Sequence, residues 1–560
     1  MQANIPEAPS SKTSYASYLV SLGILLSRIL GLVREQVMAH YLGNSDAAGA
    51  FRAALRIPNF LQNLFGEGVL SASFIPVYAR LRAQHSDAEA RRVAGTVGAI
   101  LTLVVSLLVL LGVILTPWLV DLVAPGFDGD LKALTVRIVR ILFPGVGLLA
   151  LSAWCLGILN SHRRFFLSYV APVFWNLALI ATLCLYGPGS SQETLVVYMA
   201  WGSVVGSFLQ FAVQLPFVFQ VAGRIPFSID RTLAPVREVF RNLAPVMLGR
   251  GVVQISAYID GMIASFLGAT AVAGLGYAQT IYLLPISLFG MAVAAAELPE
   301  LSTIGDDAFG KLCQRISAGR RRIAYFVVPS VIAFTFLGRE VVQVLYQTGR
   351  FSADDTVFVW LILLGSVIGV LAATWGRLYS SAFYALKDTR TPLKFALLRV
   401  AFSVVLGLLF AFPLRPQITA GLSLLLSALS YEGLPKIESP ELALGAVGLT
   451  AASGIVGWLE FMLLKRSLEK RIGPTLISSG FLRRVWSAAI ISAGAALALD
   501  QILGDLIAES LGFVRANFLA LFPIGVYGAL YLILTWIFDI DEGANLIRRT
   551  MGRLTSRLKR

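Results

Sequence analysis

Long apolar runs, each broken by a short polar stretch, fill this 560-residue chain. A helix that crosses a bilayer needs roughly 20 mostly apolar residues. The pattern predicts fourteen of them, at about 18–41, 52–79, 94–120, 133–158, 166–187, 195–219, 240–267, 271–298, 323–345, 357–384, 393–413, 445–464, 485–503 and 514–538. The segment "ITAGLSLLLSALSYEG" (418–433) is apolar in part but short, and reads as a re-entrant or interfacial piece. Loops rich in Lys and Arg alternate with loops nearly free of them. Arg80, Arg82, Arg91 and Arg92 form one basic loop, Arg163 and Arg164 the next, and Lys465, Arg466, Lys470 and Arg471 a later one. "YLGNSDAAGA", "VDLVAPGFDGD" and "GPGSSQET" lie between. The positive-inside rule then places both termini in the cytoplasm. That requires an even number of spans, as fourteen is.

Composition agrees. Hydrophobic residues make up 57% of the chain and charged ones 14%, against about 25% charged in a soluble domain. The reading is an all-α integral membrane protein. A net charge of +14 raises the question of nucleic acid, but the basic loops are explained by topology and anionic lipid headgroups. Cys155, Cys184 and Cys313 lie far apart and suggest neither a disulfide framework nor a zinc site. The first twenty residues lack a basic region with a cleavage site, so no signal peptide is read. There is no "GxxxxGK[ST]" loop and no nucleophile–base constellation, so the expectation is a transporter without an ATP engine and not an enzyme.

The chain echoes itself. "LFGEGVLSASFIP" (64–76) resembles "LFGMAVAAAELP" (288–299), about 224 residues on, and "MAHYLG" (38–43) resembles "IASFLG" (263–268). "LNSHRRFFLSYVAP" (159–172) aligns with "ALKDTRTPLKFALL" (385–398) at a similar offset. The expected organisation is an N-lobe at 1–222, a parallel C-lobe of six helices at 223–470, two extra helices at 471–540 and a basic tail at 541–560 that suits an interfacial anchor. Transporters built from parallel repeats bind substrate between the halves and rock to expose it alternately.

The first two helices hold the candidate chemistry. At 100° per residue Arg56 lies about 40° from Arg52, Asn63 returns close to Arg56, and Glu67 follows, with Asn59 beside this line. Helix 1 adds Arg28, Arg34 and Glu35. Charges this deep face a wet cavity or a partner rather than lipid. In the blander view Arg34 and Arg52 snorkel from helix ends while Arg56 and Glu67 pair structurally. The planar, permanently charged guanidinium suits a phosphate, so a cavity dominated by Arg28, Arg34 and Arg56 implies an anionic substrate. Glu35, Glu67 and Arg52 are assigned to gating or charge pairing. Asp260 in helix 7 is either a cation ligand or a hydrogen-bonded structural acid. His40, His85 and His162 form no cluster.

"SRILGLVRE" (27–35), "RIPNFLQNLFGEGVLSASFIPVYA" (56–79) and "GILNSHRRFFLSYVAPVFWN" (157–176) resemble the MurJ/MviN family of bacterial lipid II flippases, part of the larger group that includes the MATE exporters. The resemblance implies fourteen helices in the bacterial inner membrane. It also implies transfer of undecaprenyl-pyrophosphate-linked disaccharide-pentapeptide from the inner to the outer leaflet for peptidoglycan synthesis. It assigns Arg28, Arg34 and Asn59 to substrate, with Glu35 and Glu67 as the family's acids, and a lipid-tail groove to the last two helices. Membrane lipids and wall-synthesis proteins are the implied partners. Where the family often has a further helix 2 arginine this chain has Gln62. Thr280 stands at the helix 8 arginine, and Gly49 at an acid of the first outer loop. Some members hold sodium with an acid in helix 7 and amide or acid side chains in helix 11. Asp260 fits the first, but Ser403 and Gly407 stand at the others, which argues against a sodium cofactor. A cation or drug exporter and a non-transporting scaffold of wall synthesis are the alternatives.

Overall fold

The structure is a computed structural model; it describes residues 11–65, 67–84, 86–230, 232–291, 309–428, 434–436, 440–507 and 513–543. No strand occurs among them. The helices are α1 (Ser11–Leu42), α2 (Asp46–Phe65), α3 (Glu67–Ser73), α4 (Ile75–Ala83), α5 (Asp87–Val123), α6 (Gly129–Ser161), α7 (Phe165–Tyr186), α8 (Gln192–Ala222), α9 (Ala234–Ser265) and α10 (Ala269–Pro285). After a π-helical turn at Ile286–Met291 come α11 (Phe309–Phe336), α12 (Gly338–Tyr346), α13 (Ala353–Ala385), α14 (Arg390–Ala411), α15 (Arg415–Ala428), α16 (Pro440–Ala443), α17 (Gly445–Ile472), α18 (Ser479–Ile507) and α19 (Phe513–Ile537).

Each predicted span falls on one or more of these helices. Ten are long and apolar enough to cross a membrane, and an eleventh if α11 and α12, bent by 83° to one another, count as one. The others, α1, α2 and α9, carry the charges noted above. The segment from 418 lies in α15, whose 14 residues at 1.5 Å each span about 21 Å, short of a bilayer core of roughly 30 Å. Residues 429–433 of that segment lie outside the described residues.

The chain divides into two compact units, 1–273 and 274–560. The repeat boundary at 222/223 follows the sequence echo, whereas the compact unit runs on to include α9. Physical contacts hold α9 there: Arg80 of α4 makes a two-armed ion pair with Glu238, and Tyr258 donates a 2.6 Å hydrogen bond to the Arg56 carbonyl. Buried Trp154 anchors the rest of this unit, donating its indole N–H to Ala94 O at 3.0 Å.

In the second unit Arg320 is buried among the rings of Trp375, Tyr379 and Phe461, 4.9–5.9 Å from their centroids, and donates to Thr475 O. The extra helices α18 and α19 dock on α11. Tyr527 and Tyr531 of α19 each donate a 2.7 Å hydrogen bond, to the carbonyls of Pro329 and Tyr325. Membership of the second unit follows from those buried bonds.

The two turns that the echo pairs each hold a left-handed residue, though two places out of step. Arg163 and Lys387 have φ 59° and 58°, whereas the echo sets Arg163 against Thr389. Side-chain-bearing residues seldom take such a φ. The LFG of the second copy (288–290) lies in the π-helical turn. At the LFG of the first copy α2 ends at Phe65 and α3 begins at Glu67.

Candidate functional site

Near the end of α1 and the start of α2, three charges meet. Glu35 is 6% exposed and accepts from Arg34 Nη2 on one oxygen and from Arg52 Nη2 on the other, each at 2.6 Å. A buried carboxylate is tolerable only when paired. Here it has two partners, so the cluster keeps one positive charge in excess. Arg34 is aimed by α7: its Nη1 donates to Asn176 Oδ1 at 3.2 Å, and its guanidinium lies 4.9 Å over the Trp175 ring. The Asn176 amide is itself oriented by donating to Pro172 O. Arg34 is thus the fixed, outward-looking member of the cluster.

Arg34 opens onto a cavity of about 390 Å³ inside the first unit, between α1, α2, α6, α7 and α8. From α2 it is lined by Leu55, Pro58, Asn59 and Gln62, whose spacing of three and four residues marks one helix face. Ser152, Ser168, Ser203, Ser207, Gln210 and Gln214 supply hydroxyls and amides from the other helices. Among the described residues no carboxylate lines it. Gln62, which stands where the resemblance implies a further arginine, lines this cavity.

The predicted site residues therefore separate. Arg34 and Asn59 line the cavity; Glu35 and Arg52 form the ion cluster at its head. Arg56, read as substrate-binding, does not line it. It points round α2 toward α9, where its guanidinium lies against the backbone of Gly261 so closely that a Cβ there would fall 1.3 Å from Nη1. It also stands in electrostatic reach of Asp260. Ideal helix geometry sets Arg56 in line with Arg52, but the cavity face runs through 55, 58, 59 and 62, and residue 56 falls beside it. The charge facing Asp260 is accordingly a guanidinium of the protein itself. Arg28 is exposed on α1 and outside the cavity lining. The side chain of Glu67 lies outside the described residues. Gly49 has a steric reason: a Cβ would lie 2.2 Å from Ala269 O, so no acid fits there. Thr280 donates to Gly276 O within its own helix.

Sequence reasoning missed the far wall. Its signal was present: Gln210 and Gln214 are two amides one turn apart in an otherwise apolar span, "FLQFAVQLP".

The sequence model of the family described as "Lipid II flippase MurJ" matches residues 38–432. A Rhizobium meliloti protein named "Probable lipid II flippase MurJ" is 32% identical over 485 residues, covering 85% of this chain and 84% of its own. Among solved structures, "Lipid II flippase MurJ, inward closed conformation" superposes with a TM-score of 0.73 at 23% identity, covering 94% of this chain and 99% of that one. An inward-facing MATE family multidrug transporter matches with a TM-score of 0.58 at 15% identity, over 81% of this chain and 99% of its own, a likeness of fold.

Proposed function

We propose, on the premise that the chain belongs to the lipid II flippase MurJ family, that it moves lipid II from the inner to the outer leaflet of the bacterial inner membrane for cell wall synthesis. It is a transporter, not an enzyme. The observation that carries the reading is the excess guanidinium charge at the head of a cavity with no carboxylate in its described lining. The diphosphate pairs with Arg34, which Trp175 and Asn176 hold in place, while Glu35 keeps Arg34 and Arg52 together. Arg28, exposed on α1, meets the headgroup on its way.

Both termini lie in the cytoplasm, and the headgroup enters from that side. The repeats, bounded at 222/223, then rock to release it outside, with the polyprenyl tail in lipid along α18 and α19. A membrane potential negative inside favours outward passage of an anion by ~2.3 kcal/mol per charge per 100 mV. Sodium is not needed for the step, so replacing it with potassium leaves the rate unchanged. Enzymes that consume the outward-facing lipid are the protein partners this reading implies.

The test is lipid II translocation in reconstituted vesicles. A hydrogen bond to a charged group contributes about 1.5–3 kcal/mol, so Arg34→Ala should slow translocation by roughly tenfold to a hundredfold. Equal rates for the variant and the wild type would refute the phosphate clamp. Binding without translocation would favour the scaffold, and ion-dependent efflux of a cationic dye would favour the exporter.

A further inference from the structure

The end of the cavity away from Glu35 is built of neutral groups whose hydrogen bonds can be counted. Gln214 is 1% exposed. Its Nε2 donates to Ser152 Oγ at 2.7 Å and to the Gln210 carbonyl at 3.1 Å. A carbonyl can only accept, so the amide is pinned with nitrogen toward Gln210 and Oε1 on the other side. That Oε1 has no partner within the protein. Gln210 Nε2 also donates to Ser152 Oγ, at 3.2 Å. Both acceptor sites of the Ser152 hydroxyl are then taken and its hydrogen remains to be given. Ser168, also 1% exposed, has no partner for its Oγ.

A buried polar atom without a partner costs about 1–3 kcal/mol, and two residues that line the cavity hold one each, Gln214 Oε1 and Ser168 Oγ. The wall offers a carbonyl-type acceptor, a hydroxyl donor and a hydroxyl that can do either. The mixture does not suit a free cation: the described lining has no carboxylate, and the excess charge of the Arg34–Glu35–Arg52 cluster repels one. Nor does it single out an anion, because both hydrogens of the Gln214 amide are already given, to Ser152 and to the Gln210 carbonyl, and what it has left is an acceptor. Neutral groups that give and take hydrogen bonds, hydroxyls and acetamides, fit it. At ~30 Å³ per water, 390 Å³ holds roughly a dozen waters, or a sugar ring with part of its hydration.

We infer that the wall formed by Ser152, Ser168 and Gln214 is a carbohydrate subsite that takes a hydroxyl- and acetamido-bearing sugar of the lipid-linked headgroup while Arg34 takes the diphosphate. The inference rests on the flippase reading above and adds to it how the protein tells a glycosylated lipid diphosphate from a bare one.

The experiment measures binding of two probes to the purified full-length protein in nanodiscs: lipid II, and undecaprenyl pyrophosphate, which has no sugar. Gln214→Leu removes the acceptor at similar size, and Ser168→Ala removes the hydroxyl with little change in volume. Thermal unfolding of each variant checks the fold, and Ser168→Ala decides if Gln214→Leu does not fold. A tenfold or greater loss of lipid II affinity in Gln214→Leu, a threefold or greater loss in Ser168→Ala, and undecaprenyl pyrophosphate affinity within twofold of wild type would support the subsite. Arg34→Ala should weaken both probes. Equal losses for both probes in the Gln214 or Ser168 variants, or unchanged lipid II affinity, would overturn the subsite and leave the flippase reading standing. Wild-type protein that binds neither probe would overturn both.

Discussion

The offset that lays "IASFLG" (263–268) over "MAHYLG" (38–43) also lays Asp260 over Glu35. These two acids occupy matching places in the two sequence copies, yet they have come to different uses. Glu35 is clasped by Arg34 and Arg52, so its cluster keeps a spare positive charge beside a cavity. Asp260 faces the guanidinium of Arg56, whose charge offsets its own, and Gly261 gives that guanidinium its bed. Duplication supplied an acid twice. The surrounding arginines leave a spare positive charge at one place and set a guanidinium of α2 against α9 at the other.

The comparison breaks most readily at Glu35. Glu35→Gln leaves two guanidiniums facing a neutral amide, and removing one partner of a buried ion pair costs about 3–5 kcal/mol. The unfolding midpoint in detergent should fall sharply, and Arg52→Met added to it should restore part of the loss. No fall would mean that the cluster is solvated and its excess charge screened. Asp260→Asn should cost less, about 1–3 kcal/mol as the penalty on one group left without its partner, and leave lipid II translocation per folded molecule unchanged. Translocation lost with the fold intact would make Asp260 a coupling site after all. Gly261→Ala pushes the Arg56 guanidinium off α9 and should cost about 1–3 kcal/mol, as overpacking does; crosslinking between cysteines placed on α2 and α9 should drop with it.

The smallest effect concerns the matched turns. In the first copy, His162 shares a 3.2 Å hydrogen bond with Tyr78, and burial, helped by the Arg82 charge, lowers its pKa to about 4. In the second, bonds from Thr391, then the Arg471 partner, hold Asp388 down to about 2. Both folded values lie below the unfolded ones, so each group's contribution is complete at high pH and lost on acidification. For His162 the loss runs from about 6.5 down to about 4. For Asp388 it runs from about 3.9 down to about 2. Hydrogen exchange should therefore show the 161–165 turn loosening at a higher pH than the 386–390 turn. Simultaneous loosening would remove the distinction.

Much of this was readable along the chain. Apolar run length located the helices, because burying a backbone in lipid leaves few other solutions. Arg34 and Asn59, which line the cavity, and Glu35 and Arg52, which pair beside it, stood out in the sequence because charge and amide are conspicuous in an apolar helix.

The place of Arg56 was not legible, because an ideal helical wheel gives an angle but not a neighbour. α2 runs on through Pro58, and α9 arrives some 200 residues later to claim the guanidinium. The polar wall of Gln214, Ser152 and Ser168 is likewise a meeting of three helices, α8, α6 and α7. Periodicity determines which residues a helix turns to one side; which partners wait on that side depends on long-range packing, and only the folded chain decides that.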